Sequence, residues 1–177
     1  ASSAPRSAAR LAVSPAERHA LRLTARRTWR FFVTWVDDAD HMLPPDNFQE
    51  DPTPALARRT SPTNIGLFLL SVVSARDFGW IGTVDALERL EATLATLARR
   101  ECCRGHFFNW YDTGNLRPLD PKYISTVDSG NLAGHLIALA NACHEFGHAQ
   151  PPPASGIVDA IDLAREEAAR LNDGHQT

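Results

Sequence analysis

The stretch Ser61-Pro-Thr-Asn-Ile-Gly-Leu-Phe-Leu-Leu-Ser-Val-Val-Ser-Ala-Arg-Asp-Phe78 reads as a helix that is apolar nearly all round. Ser61 supplies a side-chain cap, and Pro62 stands at the first helical position, where a missing N–H costs nothing. The run is interrupted only by small residues, among them Gly66, Ser71, Ser74 and Ala75. A helix without a polar face is a buried helix. Downstream, Gly79-Trp80-Ile81-Gly82 predicts a tight connection, and Thr83 predicts the cap of a third helix. There Leu87, Leu90, Leu94 and Leu97 form one stripe, set against Glu88, Arg89, Glu91 and Arg99. Upstream, Ser14-Pro15-Ala16-Glu17 has the form of a capping box, and Leu21, Ala25, Trp29, Phe32 and Val36 follow at helical spacing. The arginines on the other side of this first helix, Arg18, Arg22, Arg26 and Arg30, predict a solvated surface rather than an anion-binding stripe. Ser125 to Gly130 leads into a fourth helix that ends near Gly147 and is again apolar, with Gly134, Ala138 and Ala142 along it. Pro151, Pro152 and Pro153 then form a stiff spacer before a fifth, amphipathic helix from about Ser155 to Leu171. Amphipathic helices one, three and five alternating with apolar helices two and four predict an all-α array of αα-hairpins, wound as a barrel. Small residues are expected where the inner helices crowd toward its axis.

The connections carry the second part of the pattern. In an up-and-down array the segments after helices one and three emerge at the same end, and these are the two long irregular ones, 37–60 and 102–124. Long polar loops gathered on one face of a rigid scaffold mark a functional surface. Helices two and four begin at that face, so their unpaired amides point toward it beside Asn64, Ser129 and Asn131. Asn109-Trp110-Tyr111-Asp112 joins an aromatic platform for the apolar face of a pyranose to an amide and a carboxylate for its hydroxyl edge. Asp46-Asn47-Phe48-Gln49-Glu50 repeats that mixture on the neighbouring loop. Taken singly, residues such as Trp110 and Phe48 are more often loop anchors in a core; their convergence on one face points to a sugar. Residues 1–13, without apolar rhythm, are expected to be a disordered lead-in to a single domain over 14–177.

Composition narrows the partners. The chain has 177 residues, 44% of them hydrophobic, enough for one core. A formal charge of −3, from 18 basic and 21 acidic residues mixed along the chain, provides no field for nucleic acid or anionic lipid. The longest mostly apolar run, Ile65 to Ala75, is far shorter than a bilayer span, so a soluble segment is expected. Cys102, Cys103 and Cys143 have neither disulfide-framework nor zinc-site spacing and read as reduced thiols, and no cofactor motif is present.

Four words make the reading specific: Leu43-Pro-Pro-Asp-Asn-Phe-Gln-Glu-Asp-Pro52, Arg59-Thr-Ser-Pro-Thr-Asn-Ile-Gly66, Gly105-His-Phe-Phe-Asn-Trp-Tyr-Asp-Thr113 and Ser125-Thr-Val-Asp-Ser-Gly-Asn-Leu-Ala-Gly134. In this order they resemble the cyclic β-1,2-glucan synthases, and the resemblance covers roughly Ser14 to Phe146. Those synthases are large bacterial inner-membrane proteins that join a glycosyltransferase, a middle glycoamylase-like region and a phosphorylase-like region. The chain is similar to the start of the middle region. The resemblance implies the N-terminal half of an (α/α)6 barrel on the cytoplasmic side, whose task is to close linear β-1,2-glucan into a ring by transglycosylation. The β-1,2 linkage rests wholly on it. Glucan contacts are expected at Asp46, Asn47, Asn64, Asn109, Trp110, Tyr111, Asp112, Asp128 and Asn131. Asp112 and Asp128 are the best carboxylate pair for retaining chemistry, but an aspartate that begins a buried helix is more often a cap, so both are expected to serve in glucan contact or helix capping. The resemblance puts the catalytic acids beyond Thr177, so this segment is expected to be inactive alone and to pair with the remainder of its parent chain, or with itself through exposed inner helices.

Two rivals belong to other classes. His144-Glu145-Phe146-Gly147-His148 matches HExxH, with Glu166 or Glu167 as a third zinc ligand, but Gly147 and the prolines beyond it place the motif at a helix end. A helical-repeat interaction module would need a repeated sequence word, and none is present.

Overall fold

The computed structural model describes residues 12–148 and 150–173, so the expected lead-in lies almost wholly outside the described residues. Five helices dominate: α1 (Pro15–Trp35), α2 (Pro62–Asp77), α3 (Thr83–Ala98), α4 (Thr126–Phe146) and α5 (Ser155–Asp173). The two expected serine caps, Ser14 and Ser61, are in place, and Ser125 adds a third. Ser14 and Glu17 close a reciprocal capping box on α1. Ser61 accepts from the Asn64 amide on α2, and Ser125 from the Asp128 amide on α4. The fourth differs: Gly82, not Thr83, is the N-cap of α3, and it offers no side-chain bond. Thr83 is instead the first helical residue, and its hydroxyl accepts from Arg76 Nε.

The core gathers on α2. Ile65, Phe68, Leu69, Val72 and Ala75 are fully enclosed, against Trp29 and Val36 from the α1 side, Ala86, Leu90 and Leu97 of α3, and Leu139 of α4. Burying side chains of this size stabilises by about 1.5–3 kcal/mol each. In α3 the buried face is Ala86, Leu90, Thr93, Thr96 and Leu97, whereas Leu87 and Leu94 stand at its exposed margin. Thr93 and Thr96 earn their burial by donating to the carbonyls of Met42 and His41, which ties the first loop to α3.

α2 packs most extensively on α4. At Gly66 the two helices approach so closely that a Cβ would lie 2.2 Å from His135 Nδ1, the crowding expected of inner helices. The expectation that α4 is buried all round fails: only Leu132 and Leu139 are buried, while Val127 and Ile137 are exposed and a Cβ at Gly134 would meet nothing. The physical reason is that α4 has a packing partner on one face alone.

The arginines of α1 also depart from expectation. Arg22 is largely covered and binds Asp159 of α5, Arg27 binds Glu166, and Arg30 reaches Glu167 while staying 60% exposed. Arg26 lies 5.7 Å from the Trp80 ring centre, where burial lowers its pKa. Of the four, Arg18 and Arg30 keep the exposed side chains of the solvated reading, and Arg22 and Arg26 do not. No helix among the described residues is long and apolar enough to cross a membrane.

Candidate functional site

The two long loops meet. Strand β1 of the first (Arg59–Thr60) pairs antiparallel with strand β2 of the second (Tyr111–Asp112), with Arg59 opposite Asp112 and Thr60 opposite Tyr111. Beneath this seam the buried Asp40 accepts from Arg58 Nη1 and Thr113 Oγ1, both at 2.7 Å. Asp46 and Asp112 therefore lie at the same end of the array, joined through Arg59.

Asp46 is the hub of the first loop. Its Oδ1 accepts from Asn64 Nδ2 at 3.2 Å, and its Oδ2 accepts from Arg59 Nε at 3.2 Å, Arg59 Nη2 at 3.0 Å and Asn47 Nδ2 at 3.1 Å. The Arg59 guanidinium lies 4.7 Å from the centre of the Trp110 ring, within cation–π range. Trp110 continues the chain of contacts through Asn109. Of the two orientations of the Asn109 amide, one sets its oxygen against the Asp128 carboxylate. In the other, Oδ1 accepts from Trp110 Nε1 and Tyr123 OH, both at 2.7 Å, while Nδ2 donates to Asp128 Oδ2 at 2.9 Å. Asp128 Oδ1 accepts from Thr63 Oγ1 at 2.6 Å, and Asn131 Nδ2 donates to that same hydroxyl at 3.1 Å. Asp46, Asn47, Asn64, Asn109, Trp110, Asp128 and Asn131 thus form one continuous network around the N-termini of α2 and α4.

Burial alone would raise the Asp128 pKa, but hydrogen bonds from Ser125 and Thr63 outweigh it and hold the carboxyl below the ordinary aspartate range. Asp128 is a fixed anionic acceptor, unsuited to donate a proton at neutral pH. Asp112, its expected companion, turns into its own loop: Oδ1 accepts from the amides of Gly114 and Asn115, each at 2.9 Å. This is the hydrogen-bonding of an Asx turn.

Tyr111 requires a correction, because its side chain is 0% exposed and presents no ring face to a ligand. Its hydroxyl donates to the Glu101 carbonyl at 2.6 Å and accepts from the Phe108 amide at 2.9 Å. Arg100 lies 3.4 Å from its ring centre, and burial lowers the pKa of that guanidinium to about 10, still charged at neutral pH. Tyr111 braces the turn from which Asn109 and Trp110 project. Arg59, Thr63 and Tyr123 are network members that the residue-by-residue reading passed over. For Arg59 and Thr63 a signal existed, since both lie within the word Arg59 to Gly66.

HExxH does not assemble as zinc chemistry requires. α4 ends at Phe146, His148 lies in the turn beyond it, and Glu166 and Glu167 are bound to Arg27 and Arg30. Among the described residues no three His, Cys, Asp or Glu side chains gather as a metal cage.

The fold is that of a fragment of an α/α barrel. The crystal structure of a glucoamylase-like protein of Bacteroides fragilis matches with a TM-score of 0.58 at 16% identity, over 92% of this chain and 37% of that one. At this identity the match shows the fold, an α/α-barrel fragment. The particular relationship comes from sequence: the chain is 52% identical over 164 residues, 92% of its length, to the cyclic β-(1,2)-glucan synthase NdvB of Rhizobium meliloti. The resemblance to cyclic β-1,2-glucan synthases is thereby shown, for a segment that spans 6% of that relative's length. No family model matches the chain.

Proposed function

We propose that residues 14–177 form part of the glycoamylase-like barrel of a cyclic β-1,2-glucan synthase and supply one wall of the cleft in which linear β-1,2-glucan is closed into a ring. The observation that carries this reading is the unbroken path Asp46, Arg59, Trp110, Asn109, Asp128, Thr63, Asn131, which sets alternating donors, acceptors and an indole at the mouths of two parallel helices. Asp46, Asn47, Asn64, Asn109, Trp110, Asp128 and Asn131 are the proposed glucan contacts, and Asp112 shapes the loop beside them. Titration with linear β-1,2-glucan is expected to produce a saturable change in tryptophan fluorescence that Trp110→Ala abolishes. A titration without any response in the wild-type chain would remove the reading.

Retaining transglycosylation needs two carboxyl groups about 5–5.5 Å apart, one of them a proton donor. Asp128 is held ionised and Asp112 is committed to its turn, which supports assigning the acid and nucleophile to a part of the synthase outside this segment. The purified chain is therefore expected to show no turnover of β-1,2-glucan. The open face of α4, with Val127 and Ile137 exposed, is proposed to receive the next hairpins of the parent chain. Without them the segment is expected to self-associate, with a concentration-dependent mass in sedimentation velocity that Ile137→Lys lowers. The parent's membrane attachment, with this domain on the cytoplasmic side, belongs to the same proposal.

A further inference from the structure

The geometry points to Arg59 as a direct contact and specificity determinant for the glucan, donating to the vicinal 3- and 4-hydroxyls of one glucosyl unit; this rests on the glucan reading above. Arg59 occupies the seam between the two loops, opposite Asp112 in the β1–β2 pair. Its guanidinium is held from two sides, by Nε and Nη2 on Asp46 Oδ2 and by the Trp110 ring at 4.7 Å. The side chain is nonetheless 49% exposed, and among the described residues Nη1 makes no hydrogen bond. An exposed ion pair of this kind contributes little to folding, because ordering two flexible side chains offsets its Coulomb gain. What it does achieve is to hold a planar donor fork in place before a ligand arrives.

The chemistry of a 1,2-linked glucan suits such a fork. Linkage through O1 and O2 leaves the 3- and 4-hydroxyls of each unit free, vicinal and equatorial, with their oxygens spaced for two N–H groups on one guanidinium edge. Asp46 has acceptors only, so it can take a hydroxyl proton but cannot donate to these oxygens; its part toward them is to orient the Arg59 fork. The same guanidinium lies over the Trp110 ring, which places the indole and the unbonded Nη1 side by side at the rim. Lysine at this position would keep the charge and lose the fork.

Isothermal titration calorimetry of the whole chain with a linear β-1,2-glucan oligosaccharide, and with its analogue lacking the 4-hydroxyls, tests the assignment. Arg59→Gln is expected to weaken binding of the native oligosaccharide by about tenfold and Arg59→Lys by about fivefold, with thermal midpoints unchanged. Removal of the 4-hydroxyls is expected to weaken the wild type by about tenfold and Arg59→Gln by less than about twofold, the coupling that direct contact requires. If the deoxy analogue loses equally in both proteins, Arg59 only braces Trp110 and the inference is overturned. Wild-type binding that Arg59→Gln matches within about twofold likewise overturns it while the glucan reading stands; a wild type that binds neither sugar removes both.

Discussion

α2 lies against α4 through close backbone approach and shared core, whereas α1 lies against α5 through charge. In the first contact Gly66 faces His135, Leu139 joins the cluster around Phe68 and Leu69, and the rim is sealed by Thr63 on Asp128. In the second, Arg27 meets Glu166 and Arg30 meets Glu167, and both pairs are half-exposed. Of the acids in these pairs Asp159, on Arg22 and Trp80 Nε1, is the buried one, and Leu163 is buried beside it on α5. The first contact removes apolar surface from water, a term of kilocalories per side chain. The second consists mostly of exposed ion pairs, worth about 0–1 kcal/mol apiece and weakened by salt. The difference teaches that the α2/α4 pair forms the rigid base of the site, and that α5 is its more easily loosened neighbour.

The comparison can be broken most severely at Phe68. Phe68→Ala is expected to destabilise the chain by about 3–5 kcal/mol in urea denaturation, since a fully enclosed ring leaves a cavity among residues of three helices. Next comes Gly66→Ala, expected to cost about 1–3 kcal/mol by pushing His135 aside. His135→Ala in the same chain should recover most of that loss; full additivity of the two changes would mean that the approach at Gly66 is not what holds the helices at this distance. The smallest effect belongs to the charged contact. Raising salt from about 0.05 to 0.5 M is expected to speed hydrogen exchange in α5 while α2 stays protected.

Acid sharpens the contrast. For Asp159 burial raises the pKa, but hydrogen bonds from Arg22 and Trp80 and the Arg22 charge outweigh it, so the folded value lies below the ordinary one. Its stabilisation is complete above the unfolded-state value near about 4 and is lost as pH falls through the lower folded value. Asp128 behaves with the same sign on the α2/α4 rim. Acid is therefore expected to expose α5 to exchange below about pH 4, before the Phe68 core opens, because that core contains no titrating group.

Much of the fold was legible because the signals were local. The caps at Ser14 and Ser61 are statements about a residue and its neighbour three positions on, and the contrast between amphipathic and apolar helices is a matter of spacing within a dozen residues. The rim was legible for the same reason, since Asn109, Trp110 and Asp46 stand in compact words between well-marked helices. Thr83 misled because Gly82 took the cap position one residue earlier. Tyr111 misled because composition does not tell a ring that faces a ligand from one that faces Arg100.

By itself the sequence determined the kind and order of the helices, the end at which the long loops emerge, and the relationship to cyclic β-1,2-glucan synthases. Only the tertiary structure decided which arginines of α1 are paired, which faces of α4 are open, and that Asp128 reaches Thr63 and Asn109 while Asp112 turns into its own loop. The physical reason is range. Helical periodicity and capping are written within four residues, but the Arg22–Asp159 and Thr63–Asp128 partners are 137 and 65 residues apart, and nothing short of packing the chain determines who meets whom.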